Sequence, residues 1–149
     1  MLFNPGEKIF FKINTNLSLL GSGLFLACLA FSTFSYSKEI IISPGDDSQE
    51  RLQEAMILMS EGDTLVIKSG YYSFEDGLSL DVDNVIITGE GMDKTILDFK
   101  DQKSGAQGLL VTSDKVTLKD FAILDAKGDA LKVIGTKGIN MINLRTEWT

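Results

Sequence analysis

The chain has 149 residues, of which 44% are apolar and 23% charged, and this composition predicts one folded domain rather than a disordered chain. The net charge is −7 and there is no histidine, which excludes Ser-His-Asp and Cys-His nucleophile systems, histidine zinc sites and histidine pH switches. An acidic chain without a basic run also argues against nucleic acid as a partner, because phosphates are bound by Lys and Arg.

Residues 1–37 are predicted to be a signal peptide. Lys8 and Lys12 precede an apolar run at 17–34, and small serine residues then lead to a cleavage point before Lys38. Two alternatives stay open, a retained membrane anchor and a lipoprotein attached through Cys28, the only cysteine. We therefore expect an exported protein, periplasmic, secreted or at the cell surface, that meets the membrane only through this segment.

One amphipathic helix is predicted at 47–61, after a short strand at 39–42. Asp47 and Glu50 stand three residues apart, as in a capping box, and Gly62 follows where a helix end favours glycine. Apolar residues recur at the spacing of one helix face: Leu52, Ala55, Met56 and Met59. A short apolar strand at 65–67 and a turn at 68–70 come next.

After Gly70 the chain repeats itself, in three segments at 77–89, 108–120 and 130–143. Each segment predicts two short strands and ends in a residue that readily accepts a left-handed backbone, namely Gly89, Asp120 and Asn143. A third strand is predicted after each bend, at 95–99, 121–124 and 144–148. Only one helical pattern exists, so the crossover helices of a conventional parallel sheet are missing.

The succession Q-E-A at 53–55, G-D-T-L-V-I at 62–67 and G-Y-Y at 70–72 resembles the start of right-handed parallel β-helix proteins. These are the pectin-lyase-like proteins, including the NosD-like group of parallel β-helix repeat proteins. The resemblance implies an all-β fold at 38–149, a right-handed parallel β-helix of about four rungs with an N-terminal capping α-helix. Its expected interior is Leu65, Ile67, Leu78, Leu80, Val85, Ile87, Leu109, Val111, Val116, Leu118, Ile123, Leu131, Val133, Ile139 and Met141.

The sequence stops in mid-strand at Thr149, and a solenoid needs a cover at each end. We therefore expect a domain that is incomplete at its C-terminus, covered by missing rungs or by end-to-end self-association. Ile139, Met141 and Leu144 should be partly uncovered, unlike their counterparts Val116, Leu118 and Phe121.

The resemblance implies an exported protein that binds or processes polysaccharide. As an enzyme it would be a polysaccharide lyase, hydrolase or epimerase, and the alternative is a non-catalytic periplasmic or surface module for binding or adhesion. The related lyases remove a proton with a basic residue while Ca²⁺ or Arg neutralises the sugar acid. On this pattern the candidate catalytic residues are Asp125, Lys132 and Arg145, with Asp129 nearby, although such positions also serve simply as solvated surface.

Three further features carry weaker hypotheses. Asp81 and Asp83 alternate with apolar residues and are candidate Ca²⁺ ligands, but two carboxylates are far from a full coordination shell and also suit a solvated turn. Asp98 and Asp125 occupy like positions of successive strands, as a glycosidase carboxylate pair would. The aromatic residues at 71, 72 and 74 predict either a sugar-stacking patch or core packing. No other cofactor is evident.

Overall fold

The computed structural model describes residues 37–148, so the predicted signal peptide and Cys28 lie outside the described residues apart from Ser37. One helix, α1 (Ser48–Leu58), follows the first strand, β1 (Glu39–Ile42). The other strands are β2 (Thr64–Ile67), β3 (Gly70–Ser73), β4 (Leu78–Leu80), β5 (Ile86–Thr88), β6 (Thr95–Asp98), β7 (Gln107–Val111), β8 (Thr117–Leu124), β9 (Asp129–Val133) and β10 (Asn140–Glu147). Among these residues no helix is long and apolar enough to cross a membrane.

All strand pairs are parallel, and each strand pairs with its counterpart in the next turn of the chain. A seven-stranded sheet contains β1, β2, β5, β8, β6 and β3, with β10 on β8. A three-stranded sheet contains β4, β7 and β9. The larger sheet curls because β8 pairs with β5 through its first half and with β6 through its second half.

Two residues at the predicted bends have the expected left-handed backbone. Asp120 has a φ of 62° and Asn143 a φ of 50°, and the Asn143 amide donates a hydrogen bond of 3.0 Å to the Asp120 carboxylate. Gly89 does not share this conformation, so that part of the prediction is wrong. Glycine is required there for space, because a Cβ atom at Gly89 would lie 2.2 Å from the carbonyl oxygen of Asp120.

The helix is shorter than predicted and begins differently. Asp47 is the N-cap residue, but its carboxylate forms an ion pair of 3.3 Å with Arg51 instead of bonding the helix N-terminus. The capping box is therefore absent, and the Ser48 hydroxyl instead donates to the Gly45 carbonyl at 2.5 Å. Gly62 has the expected positive φ of 91°, although it lies in the turn after the helix rather than at its end.

Asp63 holds the turn that follows the helix. It is 4% exposed, and its carboxylate accepts backbone hydrogen bonds of 2.8 Å from Ser60 and from Lys38. These two hydrogen bonds lower the pKa of Asp63, since they stabilise the charged form. The carboxylate thereby joins the start of β1 to the turn that leads into β2.

The interior agrees with the predicted list through the third turn of the chain. The first eleven residues of that list, from Leu65 to Ile123, are all buried. Leu131, Val133 and Ile139 are only half-buried and Met141 is 54% exposed, because no described strand stacks on the far side of β9 and β10. The exposure expected of this last turn is thus present, and its cover by further rungs or a second copy stays a prediction.

Candidate functional site

An open groove of about 640 Å³ lies beside β3, and Tyr71 is its exposed aromatic residue. Tyr71 is 57% exposed, whereas Tyr72 and Phe74 are fully buried. Tyr72 donates hydrogen bonds to the carbonyls of Lys68 (2.9 Å) and Ile42 (3.1 Å), and Phe74 stacks on Phe99 with centroids 4.7 Å apart. Of the three predicted aromatic candidates, Tyr71 alone is available to a ligand.

The hydroxyl of Tyr71 lies near Asp98 of the neighbouring turn of the chain. The Asp98 carboxylate accepts a hydrogen bond of 3.0 Å from the backbone N–H of Lys100, and Asp98 is 8% exposed. Interaction with the Asp98 carboxylate, followed by burial and by the charges of Asp98 and Asp125, raises the pKa of Tyr71.

The structure brings the predicted carboxylate pair to the same place as the tyrosine. Asp98 ends β6 in register with Leu124 of β8, and Asp125 follows Leu124 in the next turn of the chain with a left-handed φ of 54°. Both carboxylates act electrostatically on the Tyr71 hydroxyl. We call the outer surface of β3, β6 and β8 around Tyr71 the tyrosine face.

Gln49 of α1 fixes the opposite wall of the groove. Its side-chain oxygen accepts hydrogen bonds from the backbone N–H groups of Glu75 (2.7 Å) and Asp76 (3.3 Å), and its amide donates to the Asp76 carboxylate at 3.3 Å. The Asp76 carboxylate also accepts a hydrogen bond from the Ser104 hydroxyl. The helix and the turn after β3 are thus tied together, which gives the groove a defined wall.

The lining of the groove is acidic. Five exposed carboxylates surround it, from Asp46, Glu50, Glu75, Asp76 and Asp101. Within residues 37–148 the ion pair of 2.6 Å between Lys103 and Glu75 is the only one that any of these five forms. This pair raises the pKa of Lys103, mainly through the hydrogen bond to Glu75.

The three predicted catalytic residues are divided between the two sheets, with Asp125 directly after β8 and Arg145 on β10 of the larger sheet. Lys132 lies on β9 of the three-stranded sheet, where its ammonium is 3.6 Å from the carboxylate of Asp129 on the same strand. Arg145 lies on β10 of the seven-stranded sheet with Asp93 at 3.6 Å, and it also pairs with Glu147. We call the outer surface of β4, β7 and β9 around Lys132 the lysine face.

The predicted calcium ligands contact the next turn of the chain. Asp81 accepts a hydrogen bond of 2.8 Å from the Thr112 hydroxyl, and Asp83 accepts one of 2.7 Å from the backbone N–H of Asp114. The Asp114 carboxylate in turn accepts a hydrogen bond of 2.7 Å from the backbone N–H of Lys137. In residues 37–148 no group of three or more acidic, histidine or cysteine side chains is placed to hold a metal ion. Ca²⁺ binding at this pair stays a prediction.

Sequence reasoning missed the groove itself. Its walls come from α1, β3, the turn after β3 and Asp101, and no local motif joins these segments. Two sequence signals could have located it. The resemblance placed a capping helix before the first strands, and the two adjacent residues at 71–72 point to opposite faces of a strand, so that one of them faces outward. The register of β3 with β6 was needed to place Asp98 beside Tyr71.

No protein-family model and no curated protein matches this sequence. Among solved structures, the chain is similar to a PL6 family alginate lyase, AlyGC, with a TM-score of 0.57 and 18% sequence identity. The match covers 74% of this chain and 16% of the lyase chain, so this chain spans a small part of that protein's length. At this identity the likeness concerns the fold alone. With the curled, all-parallel sheet, it defines a protein with a β-helix-like fold.

Proposed function

We propose that this chain belongs to an exported protein that binds polysaccharide in the groove beside Tyr71. The observation that carries the proposal is an exposed tyrosine within a groove of about 640 Å³. An aromatic face stacks against the apolar face of a sugar ring, and polar groups around it bond the sugar hydroxyls. The likeness of the fold to a polysaccharide lyase supports the class of ligand.

The finer architecture belongs to the same proposal. We infer a right-handed solenoid of about four rungs, in which each rung supplies one strand to each of three stacked rows. The rows β1-β2-β5-β8, β3-β6-β8 and β4-β7-β9 support this inference. Stacked rungs present a continuous outer surface, along which an extended chain of sugars can lie.

Titration calorimetry with a panel of hexasaccharides tests the binding proposal. Removal of the ring in Tyr71→Ala is expected to weaken the Kd about tenfold, equivalent to about 1.4 kcal/mol. Tyr71→Phe keeps the stacking surface and should lose less than Tyr71→Ala. Lys132→Ala, on the lysine face, is the matched control and should bind as the wild type does. Equal binding by Tyr71→Ala and the wild type would contradict the proposal.

A hydrolase is the second candidate, favoured by the grouping of Asp98 and Asp125 with Tyr71. Glycoside hydrolysis uses two carboxylates, one as acid and the other as base or nucleophile. In this role Asp98→Asn and Asp125→Asn would each abolish the release of reducing sugar ends while Tyr71-dependent binding persists. Binding without any release by the wild type would leave a non-catalytic binding module.

Export is proposed on the segment before Lys38, as the sequence predicts. Mass spectrometry of the protein from the producing cells gives the first residue of the mature chain. A mature N-terminus at Lys38 supports the signal peptide, whereas a retained Met1 or a lipid on Cys28 supports one of the two alternatives.

A further inference from the structure

Among residues 37–148, the groove beside Tyr71 is lined by five exposed carboxylates and by no lysine or arginine, so its charge is one-sided. Three of its carboxylates, from Asp46, Glu50 and Asp101, are exposed and belong to none of the ion pairs in this part of the chain. The groove and the Tyr71 ring form the proposed binding surface, and the carboxylates make the charge of that surface negative.

We propose that this groove accepts neutral or amino-bearing glycans and rejects polyanionic ones. The inference rests on the proposed function, because it concerns the ligand of the same site. It narrows the ligand from polysaccharide in general to chains whose units carry either no charge or a positive charge.

The carboxylates of the groove discriminate between ligands by the sign of the ligand's charge. Like charges brought into one groove repel, and a groove lined by one sign of charge concentrates ligands of the opposite sign. No lysine or arginine of the described residues lines the groove. Of the nearby cations, Lys103 pairs with Glu75 at 2.6 Å. Arg51 pairs with Asp47 at 3.3 Å. Lys100 directly precedes a lining residue and forms no ion pair in the described part of the chain, but it is not itself part of the lining. An acidic sugar would therefore meet several carboxylates and no ammonium or guanidinium group in the lining itself.

The tyrosine adds a second reason for an amino-bearing ligand. A cation over an aromatic face is attracted by the ring, and Tyr71, which lines the groove, is an exposed residue. A protonated amino sugar can thus stack on Tyr71 and pair with a carboxylate of Asp46 or Glu50. A uronic acid could stack equally well, but its carboxylate would meet the same negative wall.

The test is a calorimetric comparison of three hexasaccharides: N-acetylglucosamine units (neutral), glucosamine units (cationic) and uronic acid units (anionic). At mildly acidic pH, where the amines of the glucosamine units are charged, the cationic chain should bind about tenfold tighter than the anionic one. Raising the salt from about 0.05 M to about 0.5 M should shrink this ratio, because exposed charges are screened.

A triple variant, Asp46→Asn with Glu50→Gln and Asp101→Asn, should reduce the preference to about threefold or less. The matched control neutralises three exposed carboxylates that do not line the groove, in Glu39→Gln with Glu61→Gln and Asp129→Asn. It changes the net charge equally and should keep the preference.

The outcomes separate the two proposals. Binding of the anionic chain as tightly as the cationic one, with dependence on Tyr71, overturns the charge inference and leaves the proposed function standing. An equal effect of the control triple variant also overturns it, since net charge rather than the groove would then decide. Failure of all three chains to bind overturns both.

Discussion

The tyrosine face and the lysine face belong to the two different parallel sheets, and they are built differently. On the tyrosine face, side chains from successive turns come together, since Tyr71 lies near Asp98 and Asp125. On the lysine face, the ion pair that Lys132 forms within the described part of the chain is with Asp129 of its own strand. The proposed binding groove thus combines side chains from successive turns with a wall that α1 supplies.

The largest expected effect concerns the core behind the tyrosine face. Phe121 is fully buried on β8, so Phe121→Ala should lower the free energy of unfolding by about 3–5 kcal/mol. Leu131, behind the lysine face on β9, is half-buried, and Leu131→Ala should cost about 1–2 kcal/mol. Urea unfolding followed by circular dichroism measures both. Equal losses would mean that β9 is covered as completely as β8 in solution.

A gain in stability is expected at the corner after β7. Ser113 is 3% exposed, and its hydroxyl has no hydrogen-bond partner in the described part of the chain. Ser113→Ala removes this unsatisfied group and should raise the free energy of unfolding by about 1 kcal/mol. The neighbouring Thr112→Ala is the control, because it removes a bond to Asp81 and should not stabilise. A stabilising effect of both variants would point to a general property of this turn.

Arg145 tests whether the predicted catalytic residue belongs to the site. Its guanidinium pairs with Asp93 and Glu147 and donates to the Met92 carbonyl at 3.3 Å, which ties β10 to the loop before β6. Because these charges are partly exposed, Arg145→Ala should cost about 0.5–1 kcal/mol of stability and should leave glycan affinity unchanged. Loss of glycan binding or of sugar release in Arg145→Ala, with the fold intact, would move Arg145 into the functional site.

The smallest effect is spectroscopic and concerns the Tyr71 hydroxyl. A raised pKa means that the interaction with Asp98 stabilises the fold below the ordinary tyrosine pKa, and that this stabilisation is lost as pH rises through the folded value. Absorbance titration in a Tyr72→Phe background, with the chain starting at Lys38, isolates Tyr71. Asp98→Asn should lower the Tyr71 pKa towards its ordinary value. An unchanged titration would show that Asp98 does not act on the hydroxyl.

Much of the fold was predictable because each turn of the chain repeats the same inward positions. Leu78 and Leu109 occupy equivalent positions in successive turns of the chain, as do Val85 and Val116. All four residues are buried. Asp120 and Asn143 were predictable for the same reason, since a left-handed bend limits the choice of residue. Gly89 was misjudged because its constraint is a carbonyl oxygen of Asp120, 31 positions away and visible only in three dimensions.

The candidate site was less predictable because its members come from different turns. Tyr71 and Asp98 become neighbours only once β3 and β6 are placed in register. Lys132 and Arg145 had the right chemistry in successive strands, but the two strands belong to different sheets. Spacing along the chain therefore identified the stacked interior more reliably than it identified which outer side chains share a face.

Binding at the tyrosine groove is tested most directly by a map of backbone amide shifts when a neutral hexasaccharide is added to the chain from Lys38 onward. We expect shifts that cluster at 45–50, 71–76 and 98–101, with the amides of β9 around Lys132 unchanged. Shifts confined to the lysine face, or shifts spread evenly over both faces, would contradict binding at the tyrosine groove.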